Sequence, residues 1–182
     1  MKMFQQFGLR FAWVTAILLL PGCLSVQSEE SLPPEWRGAL ESTNAPDLTG
    51  TYRFRGEGYS IPDNRIGAFL PVEDIPFAES FVLTQVDGTH VRFEVKGYPR
   101  APVLIAVQSN SATGEVVIPR FSNEWDEGGL PGHTSVSVVL KKGADGALYA
   151  RRTNVSVGST VGLLAPMAGV VGVWCRFLPA HK

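Results

Sequence analysis

The sequence has few of the residues from which metal sites and disulfide frameworks are built. It contains two cysteines and three histidines in 182 residues, and it has no G-x-S-x-G nucleophile motif. Two cysteines are too few for the disulfide framework of a small secreted scaffold. The histidines at positions 90, 133 and 181 are too far apart to match the ligand spacing of a zinc site. We therefore predict no catalytic residue, no metal and no other cofactor.

A basic surface for nucleic acid is also missing. Acidic residues lie among the arginines, and no tract of lysine and arginine stands out. The chain has 16 Lys and Arg, of which Lys2 and Arg10 lie in a leader that is predicted below to be removed. The remaining 14 against 17 Asp and Glu give the processed chain a net charge of −3. Nucleic acid is therefore not an expected partner.

Uninterrupted hydrophobic runs of membrane-spanning length are absent. The strongest run, residues 11–20, is about half the roughly twenty residues that a spanning helix needs. Residues 159–179 are apolar as well, but several glycines and Pro166 interrupt them. With their β-branched valines they predict two buried strands joined at Pro166.

The first residues have the pattern of a secretory signal. Lys2 and Arg10 supply positive charge, the apolar run follows, and Pro21 and Gly22 end it. We predict that residues 1–22 are a targeting segment outside the folded domain.

The residues Leu20-Pro21-Gly22-Cys23 resemble the bacterial lipobox, which has an aliphatic residue and two small residues before a cysteine. Pro21 departs from the Ala, Ser or Thr that is commoner at its place. The resemblance implies lipoprotein processing: the Cys23 thiol carries a diacylglycerol, cleavage occurs just before it, and the new N-terminus receives an acyl chain such as palmitate. Two or three such chains, at about 0.8 kcal/mol per buried methylene, would anchor the protein to a membrane.

Leu24 bears on the location that this resemblance implies. In enteric-type bacteria an aspartate at this place retains a lipoprotein at the inner membrane, so its absence favours the periplasmic face of the outer membrane. The membrane is thus the expected partner through the lipid, with an envelope protein, glycan or lipid as a further partner. An ordinary secretory peptide and an N-terminal anchor helix are the alternatives.

The rest of the chain divides into two parts. Residues 23–46 are rich in Ser, Glu and Pro and predict a lipidated N-terminus and flexible tether, with a reach of about 25 Å if fully flexible. Pro34 is well placed there to begin one or two helical turns. Residues 47–182 predict a single β domain, a length that suits one domain better than two.

Short runs of Val, Ile, Phe, Tyr and Thr between turn residues predict an all-β fold of about eight mainly antiparallel strands with little helix. In the run that begins at Gly50, Tyr52 and Phe54 share one face and Arg53 and Arg55 the other. The clearest hairpin covers residues 81–97, with Asp87 and Gly88 in a tight turn of positive φ. Further hairpins are predicted around residues 109–114 and 143–146. A closed barrel would remove exposed strand edges, so we favour a small barrel over a sandwich.

The stretch LTGTYRF at the start of this domain is similar to the Gly-x-aromatic start of lipocalin-like barrels. Gly50 and Tyr52 occupy the matching places, with tyrosine where that family typically has tryptophan. The resemblance implies a carrier of an apolar ligand.

Residues 59–80 form an irregular segment in which three prolines forbid a regular strand. One hypothesis is a lid over an apolar ligand, and the other is a plug for one end of the core that contains one helical turn. The candidate lid residues are Ile66, Phe69, Leu70, Ile75 and Phe77.

Two further features give weaker functional hypotheses. The loop at residues 124–133 holds Glu124, Asp126, Glu127 and His133, but their spacing lacks the pattern of a calcium loop and favours a solvated acidic loop. Cys175 is predicted to be a buried core thiol.

The sequence therefore favours an envelope lipoprotein with a binding or structural role over an enzyme. The alternatives are a lipocalin-like carrier and a small hydrolase that uses the loop at residues 124–133.

Overall fold

A computed structural model of the chain describes residues 24–29, 31–41, 46–58, 64–72, 75, 77–126, 131–160 and 163–180. The predicted signal segment and Cys23 lie outside these residues. The described chain forms one α-helix, one 3₁₀ turn at Ile66–Ala68 and ten strands: α1 Pro34–Glu41, β1 Leu24–Glu29, β2 Gly50–Arg53, β3 Ser80–Gln85, β4 His90–Val95, β5 Val103–Ala106, β6 Gln108–Asn110, β7 Glu115–Asp126, β8 Pro131–Lys142, β9 Leu148–Thr160 and β10 Leu163–Phe177.

The predicted all-β class is confirmed, with 56% strand and 9% helix. The smaller sheet has the order β2-β3-β4-β5 and the larger one the order β1-β10-β9-β8-β7-β6. Nine strands form two antiparallel sheets of four and five strands, and β1 joins the larger sheet by pairing in parallel with β10.

The two sheets are connected at both margins by short contacts. Only Val107 separates β5 from β6, so one extended segment pairs first with β4 and then with β7. On the opposite margin, isolated bridges join Tyr52 to Pro179 and Glu57 to Arg176. No closed barrel is found in the part of the chain that the structure describes, which corrects our preference for a barrel. Short strands and these bridges limit the exposed edges instead.

One hydrophobic core lies between the sheets, and Phe81 is at its centre. The centroid of its ring lies 5.5 Å from that of Tyr52, 6.3 Å from Phe54, 5.6 Å from Phe93 and 5.8 Å from Phe177. These rings come from both sheets and from the segment that follows β2. Aromatic packing therefore holds the two sheets together.

The glycine at the start of β2 has a local reason. The Tyr52 ring lies so close to Gly50 that an added Cβ would stand 2.7 Å from the tyrosine hydroxyl oxygen. The Tyr52 hydroxyl donates a hydrogen bond of 2.9 Å to the Leu48 carbonyl. Burial raises the pKa of this hydroxyl, as does the charge of Asp47 to a smaller extent, so Tyr52 stays a neutral donor. Gly50 thus leaves room for the buried Tyr52 ring at the start of β2.

The β3–β4 hairpin is confirmed, and buried residues of β4 alternate with exposed ones as predicted. Positive φ occurs at other turn glycines, such as Gly114 and Gly146, and not at Gly88. The prediction of a positive φ at Gly88 is therefore wrong. The Asp87 carboxylate accepts hydrogen bonds from the backbone N–H and the hydroxyl of Thr89, both of 2.7 Å. This side-chain turn stabilises a longer loop that needs no left-handed residue.

The C-terminal region differs from the prediction of two strands joined at Pro166. β10 is a single strand that pairs with β9, and the register shifts between Leu163 and Pro166. A bulge accommodates proline within a strand, since proline has no N–H to give to the ladder.

Among the described residues, no helix is both long enough and apolar enough to cross a membrane.

Two parts of the predicted tether have regular structure. β1 pairs with β10, and α1 begins at Pro34, the residue that the sequence indicates as a helix start. Trp36 and Leu40 of α1 are buried, and the Trp36 ring contacts Tyr149 of β9 edge-on at 5.7 Å. The helix therefore packs on the larger sheet, because its apolar side finds an aromatic partner there.

We expect Phe81→Ala to lower the free energy of unfolding by about 3–5 kcal/mol, because it removes the ring that the other core aromatics contact. Denaturant unfolding measures this loss. Phe77→Ala is the control: that side chain is 93% exposed, and its loss should change stability by less than about 0.5 kcal/mol. Equal losses in the two variants would contradict the assignment of the core.

Candidate binding groove

The alternation of side chains in and after β2 places two arginines on the surface. Tyr52 and Phe54 are buried, so Arg53 and Arg55 face solvent. Backbone hydrogen bonds fix this segment on both sides: the Arg53 N–H donates to the Leu178 carbonyl at 2.9 Å, and the Phe54 N–H donates to the Glu79 carbonyl at 2.8 Å. The two guanidinium groups therefore extend from an ordered backbone.

Beside these arginines lies an open groove of about 700 Å³. Residues 77–80, which lead into β3, and Ala180 near the C-terminus complete its lining. Its volume lies in the range of sites that bind small molecules, about 300–1,000 Å³. The groove thus brings together three segments that are distant in sequence.

The charge and polarity of the groove favour an anion with an apolar part. It has two guanidinium groups, Arg53 and Arg55, against one carboxylate, Glu79. Within the described residues, neither arginine forms an ion pair. Phe77 lines the same groove with 93% of its surface exposed. Arginine binds carboxylate, sulfate and phosphate oxygens through its planar donors, and an exposed ring offers an apolar contact beside them.

Four of the five candidate lid residues lie in the core. Ile66, Phe69, Leu70 and Ile75 are all buried, and the Phe69 ring meets Phe177 at 5.7 Å. Ile66 also begins the 3₁₀ turn. Phe77 is separate from these four residues and lies in the groove.

A second polar cluster lies where α1 packs on the larger sheet. The Asp145 carboxylate accepts hydrogen bonds of 2.8 Å from the Tyr149 hydroxyl and 2.7 Å from Arg176. Burial alone would raise the pKa of Asp145, but hydrogen bonds from Tyr149, the Ala147 N–H and Arg176 together hold it below the ordinary value. Burial and the neighbouring carboxylate raise the pKa of Tyr149 to about 12. These hydrogen bonds connect the turn before β9, which holds Asp145, to Tyr149 of β9 and Arg176 of β10.

The histidines do not assemble a site in the described part of the chain. His90 Nδ1 lies 3.2 Å from the Asp87 carboxylate in the exposed β3–β4 loop. The Thr89 hydrogen bonds, with a smaller effect from His90, lower the pKa of Asp87 to about 2. His133 lies opposite Glu124 in the β7–β8 ladder, and His181 is outside the described residues. The described residues contain no group of three metal-ligating side chains.

For the loop at residues 124–133, the structure describes the backbone of residues 124–126 and 131–133, where β7 ends and β8 begins. Besides the pairing of Glu124 with His133, it places Asp126 opposite Pro131, and Glu127 lies outside the described residues. The register thus brings one acid and one base of the predicted set to neighbouring strands.

No family model matches the chain, and no curated protein or solved structure matches it. The resemblance of Leu20 to Cys23 to a lipobox, and that of Gly50 and Tyr52 to a lipocalin start, therefore stay predictions.

The sequence indicated part of the groove and missed the rest. The alternation of Tyr52 with its neighbours correctly predicted that Arg53 and Arg55 face away from the core. The contributions of Glu79 and Ala180 depend on hydrogen bonds between distant segments, for which the local pattern gave no signal.

Cys175 is a buried free thiol, and we expect it to be unreactive in the folded protein. Burial raises its pKa to about 12, so the thiolate needed for reaction is scarce below that pH. In a Cys23→Ser chain, a disulfide-exchange reagent at pH 8 should react only after denaturant is added. A chain that also carries Ser80→Cys in the groove is the control and should react at once. Rapid reaction of Cys175 in native buffer would contradict its burial.

Proposed function

We propose that the chain is a lipoprotein of the bacterial cell envelope whose β domain binds a partner through the groove at Arg53 and Arg55. The lipobox-like residues before Cys23 support the anchoring, and Leu24 after it favours the periplasmic face of the outer membrane. The partner would present an anionic group next to an apolar one. An envelope glycan, lipid or protein could each supply that chemistry.

The observation that carries the binding role is the pair of arginines beside an exposed ring. Arg53 and Arg55 are held on a fixed backbone and form no ion pair within the described residues. Phe77 remains exposed, although Ile75 is buried and Ala78 is partly buried. Large apolar side chains and unpaired charges placed together are typical of binding surfaces.

The alternatives have less support. A carrier of the lipocalin type needs interior space, whereas Phe81 and the buried lid residues fill the core between the sheets. The support for the hydrolase alternative is limited to the backbone pairing of Glu124 with His133. A binding surface therefore agrees better with the geometry than an enclosed ligand or a reaction site.

We expect anilinonaphthalene sulfonate, an aromatic anion with a fluorescence signal, to bind in the groove of a chain of residues 24–182. This chain keeps every residue that the structure describes. Arg53→Gln with Arg55→Gln should weaken binding by about tenfold or more, because charged hydrogen bonds contribute about 1.5–3 kcal/mol each. Phe77→Ala should weaken it as well. Fluorescence titration gives the dissociation constants.

The control for this titration is Arg92→Gln, which removes one exposed positive charge from β4. It should leave the affinity unchanged. If the double arginine variant binds as tightly as the parent chain, the groove is not the binding site.

We expect Cys23→Ser to abolish labelling by radioactive palmitate in a bacterial host with a lipoprotein pathway, because the serine cannot form the thioether. The chain should then leave the membrane fraction or retain its signal segment. Cys175→Ser is the matched control and should keep both the label and the membrane location, since that thiol is buried in the domain. Unchanged labelling of Cys23→Ser would refute the anchoring.

A further inference from the structure

A second concave site, the helix–sheet cavity, lies between α1 and the face of the larger sheet that points away from the core. Its sheet side consists of Val139, Tyr149 and Trp174, and its helix side of Leu40 and of Leu32 just before α1. It shares no lining residue with the groove. Its volume is about 310 Å³, near the lower end of the range of about 300–1,000 Å³ for small-molecule sites. The cavity therefore suits a ligand of one ring with short substituents.

Three adjacent strands build the sheet side of the cavity. Val139 of β8 and Trp174 of β10 both pair with Arg151 of β9, so they lie on either side of it. Tyr149 is two residues from Arg151 and therefore lies on the same face of β9. The next residue of β8, Leu140, belongs to the core on the opposite face. The alternation that fills the core thus also creates an apolar and aromatic surface on the outer face of the larger sheet.

The walls of the helix–sheet cavity are held in place by neighbouring contacts. The Ala144 N–H donates a hydrogen bond of 3.0 Å to the Ala39 carbonyl, which connects α1 to the turn before β9. The Tyr149 side chain is buried. The guanidinium carbon of Arg151 lies 5.9 Å from the ring centroid of Trp174, within the range of a cation–π contact. A ligand that enters the cavity therefore meets side chains that are already ordered.

Charged residues of both signs line the same cavity. They are Arg37 and Glu41 of α1, Glu115 of β7 and Lys141 of β8. Within the described residues none of the four forms an ion pair, and the Glu115 carboxylate accepts a hydrogen bond of 3.0 Å from the Thr113 hydroxyl. Two cations and two carboxylates give the cavity no net charge. It therefore offers donors to a carboxylate and acceptors to an ammonium group.

Two of these charges are neighbours across strands. Glu115 precedes Val116, and Val116 pairs with Leu140, so Glu115 lies opposite Lys141. Side chains opposite each other in an antiparallel pair have Cβ atoms about 4.5–5.5 Å apart. An α-amino acid carries its ammonium and its carboxylate on one carbon, so its two charges are also close together. The spacing of Glu115 and Lys141 therefore matches that of the two charges of an amino acid.

We propose that the helix–sheet cavity binds a small zwitterion with one flat ring, the chemistry of an aromatic amino acid. The ring would pack against Trp174, because aromatic pairs gain energy beyond the burial of their surface. The ammonium group would donate to Glu115, and the carboxylate would accept from Lys141. Binding at this site is independent of the lipid anchor and of the groove.

Other ligand classes fit the helix–sheet cavity less well. A sugar would bring hydroxyl groups against Leu40 and Val139, where they would lose hydrogen bonds to water. A simple anion would meet two carboxylates as well as two cations, unlike in the groove, where Arg53 and Arg55 outnumber one carboxylate. An uncharged hydrocarbon would use none of the charged groups. A ring that carries both charges uses every part of the lining.

The test is isothermal titration calorimetry of the full chain with L-phenylalanine. We expect saturable binding, and binding at least about tenfold weaker for probes that each lack one feature, since a charged hydrogen bond or a buried ring is lost. The probe 3-phenylpropionate has no ammonium, phenethylamine has no carboxylate and L-alanine has no ring. Equal affinity for any of these probes, tighter binding of D-glucose, or no binding of phenylalanine would each overturn the proposal.

Substitutions locate the binding. Glu115→Gln and Lys141→Gln should each weaken phenylalanine binding by about tenfold, and both side chains are partly exposed and outside the core. Lys96→Gln is the matched control, because Lys96 is exposed and outside the cavity lining, and it should bind like the parent chain. If both cavity variants also bind like the parent chain, the helix–sheet cavity is not the site.

The double variant Arg53→Gln with Arg55→Gln separates this proposal from the groove. It should bind phenylalanine as tightly as the parent chain, because neither arginine lines the helix–sheet cavity. Loss of phenylalanine binding in this variant would place the ligand in the groove and overturn the inference. If phenylalanine binding is unchanged while anilinonaphthalene sulfonate binding is also unchanged, the groove proposal fails and the helix–sheet cavity stands.

Discussion

The contacts of the Phe81 ring with aromatic rings of both sheets determine how the rest of the domain is arranged. Tyr52 of β2 and Phe54 just after it must both turn toward this ring, and the two-residue period of extended chain then forces Arg53 outward. The groove is therefore a consequence of the way the core packs. Phe69 adds a further ring through Phe177, so side chains fill the interior in which a lipocalin-like carrier would hold its ligand. Binding capacity is left to the surface.

The long strands of the larger sheet give the molecule two different ends. At one end β10 contributes Phe177 to the core, and at the other it pairs with β1 beyond the core. The intervening sheet is stabilised by pairing across strands, including a hydrogen bond of 2.9 Å between the hydroxyls of Thr134 and Ser156. The larger sheet thus extends from the pairing of β1 with β10 to the bridges beside the groove.

Local patterns predicted several elements correctly and failed where distant partners decide the structure. The β3–β4 hairpin, the start of α1 at Pro34 and the outward arginines follow from alternation and from the fixed φ of proline. The prediction of a positive φ at Gly88 was wrong, because the Asp87 carboxylate accepts the Thr89 N–H and stabilises a different loop. Pro166 does not end a strand, because a bulge in the pairing with β9 accommodates it. Alternation also says nothing about whether the last strand closes a barrel.

The sequence by itself determined the all-β class, the inward and outward faces of its strands and the lipobox-like segment before Cys23. These depend on residues within a few positions of one another, where side-chain period and backbone sterics act directly. The tertiary structure alone decided that Glu79 and Ala180 join the arginines in one groove, that α1 packs on Tyr149, and that Leu24 pairs with Met167. Each of these depends on a contact between segments far apart in the chain. Such a contact forms only when packing has placed both partners. The backbone N–H and C=O groups that pair strands are the same in almost every residue, so they do not specify the partner segment.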